Sequence, residues 1–146
     1  MAFIGKSPTI PGDLFVFTGS GSPERLTISN PWLTLRSLGS QSLIKYKARD
    51  GREIEGILIH PVDEKPGQRA PLVVIVHGGP ESHFSNGWLS SYSEPGQVLA
   101  GKGYMVFYPN YRASAGYGVA FAAEGFSYLD ADQRYFFFHG LIVIAS

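Results

Sequence analysis

The eight residues Val73-Val-Ile-Val-His-Gly-Gly-Pro80 constrain this chain more than any others. Four β-branched residues in succession leave no polar face. They read as a strand buried on both sides, the kind found inside a sheet covered by helices. The run stops at once in His77-Gly78-Gly79-Pro80. Glycines let the backbone turn sharply there, and with no Cβ atoms their N–H groups face outward unobstructed.

The order of elements around this run extends the reading. From Leu72 onward the pattern is strand (72–76), short helix (93–102), strand (104–108) and helix (119–124). Ser93 is a candidate cap for the first helix, and Gly103 and Gly125 are candidate stops. Strands alternating with helices predict an α/β fold with a parallel sheet. Ligands of such sheets sit beyond the carboxyl ends of the strands. Both His77-Gly78-Gly79 and Asn110-Tyr111-Arg112 fall at such ends.

Upstream, strand-like runs at 43–48 and 53–60 flank Arg49-Asp50-Gly51-Arg52, and Asp-Gly between two such runs predicts a hairpin. Lys45, Lys47, Glu53 and Glu55 alternate with less polar residues, so one face of each arm is expected to be wet. Residues 1–30 read as short strands and turns, with strands at 13–18 and 25–28. Residues 31–42 read as a linker.

A chain of 146 residues can bury one modest core. Its formal net charge is zero, so it carries no basic footprint for nucleic acid or acidic membranes. It has no cysteine, which excludes a disulfide scaffold and a cysteine nucleophile or zinc ligand set, and fits a cytoplasmic location. Residues 1–8 have neither a basic nor an apolar signal region. The longest apolar stretch, 135–145, is broken by His139-Gly140 and is too short to span a bilayer as a helix. No cofactor is expected. Glu24 stands where a dinucleotide loop starting Gly19-Ser-Gly21 needs its third glycine, and no helix follows. No metal is expected either, since His77 and His83 lack a third ligand at a diagnostic spacing.

Three segments in order carry a family resemblance: the strand ending in His77-Gly78-Gly79-Pro80, the run Leu99-Ala-Gly-Lys-Gly-Tyr-Met-Val-Phe-Tyr-Pro109, and Asn110-Tyr-Arg-Ala-Ser-Ala-Gly-Tyr-Gly118. Together they resemble the prolyl oligopeptidase family of serine peptidases, in its acylaminoacyl-peptidase and dipeptidyl-peptidase branches. Tyr46–Leu58 resembles the hairpin that opens that family's catalytic domain. The resemblance implies an incomplete α/β-hydrolase fold over residues 43–125, preceded by a β-propeller remnant (1–30) and the linker (31–42). It also implies that the parent protein hydrolyses peptide or acyl-peptide bonds through an acyl-enzyme. By the same resemblance Gly78 and Gly79 match the oxyanion-hole turn. His77 matches a position where some branches carry a tyrosine that donates to the same charge. Arg112 is a candidate for binding a substrate carboxylate or carbonyl, or for clamping a loop. The family's Arg-Gly-Ser is here Arg112-Ala113-Ser114.

The chain departs from the family after Gly125. Residues 126–146 match nothing in it, and no Gly-x-Ser-x-Gly elbow occurs anywhere. No member of the expected triad can be carried over, so the chain alone is expected to be inactive. Two alternatives stay open. One is a small esterase using Ser114, with Asp130 or Asp132 and His139 as a substitute triad. The other is a non-catalytic remnant that binds partners through unpaired sheet edges. Open edges and a sticky tail also predict self-association.

Overall fold

The computed structural model describes residues 1–67, 69–78, 82–127 and 143–145, with only the backbone described for 124–127 and 143–145. Two sheets form. The first is antiparallel, in the order β1 (Ala2–Ser7), β2 (Ile10–Val16), β3 (Glu24–Arg25). Asp13, 2% exposed, holds it together: its carboxylate accepts from Arg25, from the Thr27 hydroxyl and from the Ser29 backbone N–H. These donors, the Ser29 amide foremost, hold the Asp13 carboxyl far below the usual carboxylate range. The strand expected at 25–28 is shorter than its sequence indicates, because Thr27 and Ser29 turn inward to this carboxylate.

The second sheet has the order β4 (Gln41–Lys47), β5 (Glu53–Ile59), β7 (Met105–Asn110), β6 (Leu72–Val74), β8 (Val143–Ala145). It is mixed, which corrects the expectation of a parallel sheet. Only β6 and β7 run parallel, joined by a crossover through the short helix α1 (Gly96–Ala100). The hairpin makes β4 and β5 antiparallel, and β5 then pairs directly with β7, also antiparallel. β6 continues as ladder beyond Val74, since the Ile75 N–H donates to the Phe107 carbonyl at 2.9 Å. The segment expected to be a linker holds a 3₁₀ turn at Pro31–Leu35 and the start of β4.

Residues 126–146 match nothing in the resembling family, and the half sheet was expected to have open edges. Instead β8, from within that stretch, pairs antiparallel with β6, Val73 opposite Ile144. Among the described residues the outer strands are therefore β4 and β8. A second helix, α2 (Val119–Ser127), runs past Gly125 rather than stopping there.

One face of the larger sheet packs the core: Ile57, Ile59, Val73, Ile75, Val106 and Tyr108, covered by Phe84, Leu89 and Ala100. Each such side chain contributes roughly 1.5–3 kcal/mol when fully buried. β5 is more deeply buried than its charge alternation implies, with Ile54 and Gly56 enclosed on the other face. An interior strand has only one wet stretch, here Glu53 and Glu55 at its start. α1 lies close on β7 because Gly96 has no Cβ: one would stand 2.5 Å from the Tyr108 hydroxyl. Ser93 does not cap this helix. The Gln97 N–H instead donates to Ser90 Oγ at 2.9 Å. The buried Gln97 amide in turn grips the backbone of Gly39 at 2.8 and 3.1 Å, fixing the approach to β4.

Candidate active site

The C-terminal tips of β6 and β7, parallel neighbours, come together at one end of the sheet. His77 follows β6 and Asn110 ends β7. The His77 ring is 6% exposed. It stacks on Tyr111, centroids 4.5 Å apart, and meets Phe84 edge-on at 5.2 Å. Its Nε2 lies 2.9 Å from Ser114 Oγ. The Tyr111 hydroxyl donates to the His77 carbonyl, which commits its only proton, so its oxygen accepts from Nδ1–H at 3.3 Å. This assigns the proton to Nδ1 and makes Nε2 the acceptor of the Ser114 hydroxyl. Burial pushes the imidazole below the ordinary histidine value. The Gly78 carbonyl opposes this and the His83 charge adds to it. His77 is thus a neutral, buried brace between Ser114 and Tyr111.

Gly78 has the opposite environment. It is exposed, its φ is not in the left-handed region, and a Cβ there would meet nothing within 4 Å. Neither strain nor crowding within the described chain requires glycine at this position. Close approach of a ligand to the backbone is one physical reason for glycine that this environment allows. Gly79 lies outside the described residues.

The loop after β7 is knotted to its surroundings. The buried Asn110 side chain accepts from the Phe84 N–H at 2.7 Å and donates to the Phe84 carbonyl at 2.9 Å and the Tyr117 hydroxyl at 2.8 Å. The Tyr117 hydroxyl in turn donates to Glu55 Oε1 at 2.9 Å. Burial first, and Glu55 second, raise the Tyr117 hydroxyl above its ordinary value. Arg112, the candidate substrate contact, pairs with Asp50 at the tip of the β4–β5 hairpin. Its guanidinium thus clamps hairpin to site, the second of the two roles its sequence allows.

Ser114 is brought to His77, not to His139, and is 0% exposed. A substrate carbonyl has no access to its hydroxyl, which counts against the esterase alternative. Asp130, Asp132 and His139 lie outside the described residues. The pairing of Ser114 with His77 was not foreseen. The only sequence signal for it is that both sit at the tips of neighbouring parallel strands.

Comparison with known proteins bears on what this end of the sheet serves. No family model matches the chain. An uncharacterised peptidase of Bacillus subtilis, YuxL, is 30% identical over 115 residues, 78% of this chain. Dipeptidyl aminopeptidase BIII of Pseudoxanthomonas mexicana is 32% identical over 112 residues, 73% of this chain. The solved structure of the Pyrococcus horikoshii acylaminoacyl peptidase superposes on 84% of the chain with a TM-score of 0.69 at 28% identity. The chain's relatives are prolyl oligopeptidase-family peptidases. The chain spans only 17% and 16% of the two curated relatives and 19% of the solved structure. A puromycin-hydrolysing peptidase of Mycobacterium tuberculosis matches over the same share of the chain, TM-score 0.68 at 25% identity. Among the described residues no helix is long and apolar enough to cross a membrane.

Proposed function

We propose that this chain forms the anion-stabilising side of a serine-peptidase catalytic domain that cleaves peptide or acyl-peptide bonds through an acyl-enzyme. In this reading residues 43–125 are the first strands of an α/β-hydrolase domain, and the sheet within residues 1–30 is the last piece of a propeller. The attacking serine, its histidine and its acid lie outside these 146 residues.

The observation that carries the reading is Gly78: an exposed glycine at a strand tip, with open space where a side chain would stand, on a turn braced from beneath by a neutral histidine. Attack on a scissile carbonyl puts negative charge on its oxygen. We assign the stabilisation of that charge to the backbone N–H groups of Gly78 and, by its place in the sequence, Gly79, since donors fixed in advance stabilise such a charge without reorganising. His77 does not donate to it, because Nε2 is occupied by Ser114 and Nδ1 by Tyr111. Its contribution is to hold the turn. Arg112 contributes likewise by tying the hairpin to the loop that carries Ser114.

The test is a chimera in which residues 72–118 replace the equivalent segment of the Pyrococcus horikoshii acylaminoacyl peptidase. Hydrolysis of an acyl-amino-acid p-nitroanilide should survive the exchange. Gly78→Pro or Gly79→Pro, which deletes an N–H, should then lower kcat by about 10²–10³. Full kcat in both proline variants removes the assignment. Turnover by the unmodified chain, abolished by Ser114→Ala, would establish the esterase reading instead.

A further inference from the structure

A serine–histidine–carboxylate set lies away from the strand-tip site, where Ser42 on β4 meets His60 and Glu64 just after β5. Hairpin register places Ser42 opposite Leu58, and the His60 N–H donates to the Ser40 carbonyl at 2.8 Å. Ser42 and His60 are therefore diagonal neighbours on one face of the ribbon. Ser42 Oγ lies 3.1 Å from His60 Nε2, and His60 Nδ1 lies 2.9 Å from Glu64 Oε2. The carboxylate can only accept, so it fixes the proton on Nδ1 and leaves Nε2 to accept from the Ser42 hydroxyl. A nucleophile hydrogen-bonded to a base, itself oriented by a third group, is the arrangement that activates serine.

Access separates this set from the buried pair at the strand tips. The His60 side chain is 25% exposed and Glu64 40%, and Ser42 is half-buried, whereas Ser114 is sealed. The Ser114–His77 pair also lacks a carboxylate: its second ring nitrogen meets Tyr111 and the Gly78 carbonyl. Glu64 also lines a cavity of about 150 Å³ with Pro61, Val62, Lys65, Arg69 and Pro71, of whose wall Ser42 and His60 are not part.

We propose that Ser42, His60 and Glu64 form an acyl-accepting centre, with Ser42 as nucleophile, that takes acyl groups from activated esters. Ser42 Oγ forms a bond to the acyl carbon while its proton passes to His60 Nε2. The bond from that carbon to the leaving oxygen breaks, and the leaving group departs as alkoxide or phenolate, taking up the proton. Activated donors are the class that fits, because the three residues supply a nucleophile and a base and a good leaving group needs little more. The proposal is independent of the oxyanion-turn assignment and survives its failure.

The experiment treats the full chain with p-nitrophenyl acetate, follows p-nitrophenolate release and maps acetylated peptides by mass spectrometry. One acetyl group per chain is expected, on Ser42, and Ser42→Ala should abolish it. His60→Gln should slow acylation by at least about 100-fold. Glu64→Gln should slow it by more than about tenfold, with recovery in Glu64→Asp, at unchanged far-UV circular dichroism and melting temperature. The exposed Ser22→Ala serves as a control expected to retain the full rate. If His60→Gln fails to fold, the Glu64 pair decides. Acetylation of lysines only, of another serine, or at a rate unaffected by Ser42→Ala or by Glu64→Gln overturns the proposal, as does a folded chain that takes up no acetyl group.

Discussion

Ala113 offers the sharpest test of how the loop after β7 is built. It is the one non-glycine residue with a positive φ, +72°, among the described residues. An L-residue in that region costs about 1–2 kcal/mol relative to glycine. The resembling family's motif has glycine at this position, so simple strain relief predicts that Ala113→Gly stabilises. Two terms oppose this. The side chain is 4% exposed, and deleting a buried methyl costs about 0.8 kcal/mol. A new glycine also loosens the unfolded chain, by roughly 0.4–1 kcal/mol. The three terms nearly cancel, and the expected change is within about 1 kcal/mol of zero, or within about 3 °C in Tm for a chain of this size. Ala113→Val keeps the strain, adds a β-branch and overfills the site, costing about 2 kcal/mol or more. Thermal and urea unfolding followed by far-UV circular dichroism measure both. The backbone here is held on several sides, by Ala113 N–H to Phe121, Ser114 N–H to Tyr111 and Ala115 N–H to Ser82. If this bonding sets φ, the valine variant must pay for it. A glycine variant shifted by more than about 2 kcal/mol either way, or a valine variant that melts with the parent, refutes the reasoning.

Ser114→Ala should cost about 1–3 kcal/mol, because it leaves a buried imidazole nitrogen without its donor; a urea midpoint unchanged from the parent would contradict the brace. The folded His77 pKa lies below its unfolded value of about 6.5, so the unfolded chain binds more protons as the pH falls through that value. Stability present above about pH 6.5 should therefore decline on acidification, and His77→Gln should flatten the dependence when urea midpoints at pH 8 and 5.5 are compared. Gly56→Ala places a Cβ 2.2 Å from the Phe107 ring and should destabilise by about 1–3 kcal/mol, whereas Gly78→Ala, with open space, should stay within about 0.5 kcal/mol; equal melting temperatures would show that the two glycines are not distinguished by packing. The outer strand β4 should promote association, so sedimentation is expected to depend on concentration and to do so less in Leu43→Lys, whose native leucine is 52% exposed; a monodisperse parent monomer rules this out.

Local chemistry made much of the architecture legible. The Asp50-Gly51 turn predicts the hairpin, and both arms are found within two residues of where alternation puts them. The β-branched run 73–76 predicts β6, and the glycine-bounded segment predicts α1 and β7. What local pattern misses is pairing. Nothing in residues 53–59 says that β5 lies beside β7, or that it runs antiparallel to it, because each strand's alternation is compatible with either neighbour. Likewise Gly39, Gly56 and Gly96 look like breakers in the sequence, and only contact with His60, Phe107 and Tyr108 shows that each makes room for an atom far along the chain.

For the site, residue types and their place in the chain were enough to mark His77 and Gly78 as a strand-tip turn, and to put Asn110, Tyr111 and Arg112 at the tip of the neighbouring strand. Backbone propensity and apolar runs are local, so they survive without a fold. Most partnerships are not local. That His77 is neutral and turned inward onto Ser114, that Arg112 closes on Asp50, and that Ser42 meets His60 and Glu64 follow from distances between residues 4 to 62 positions apart. Those distances exist only once hydrophobic burial has set sheet order and register, which is why the tertiary structure alone could decide which polar groups face each other and which face solvent.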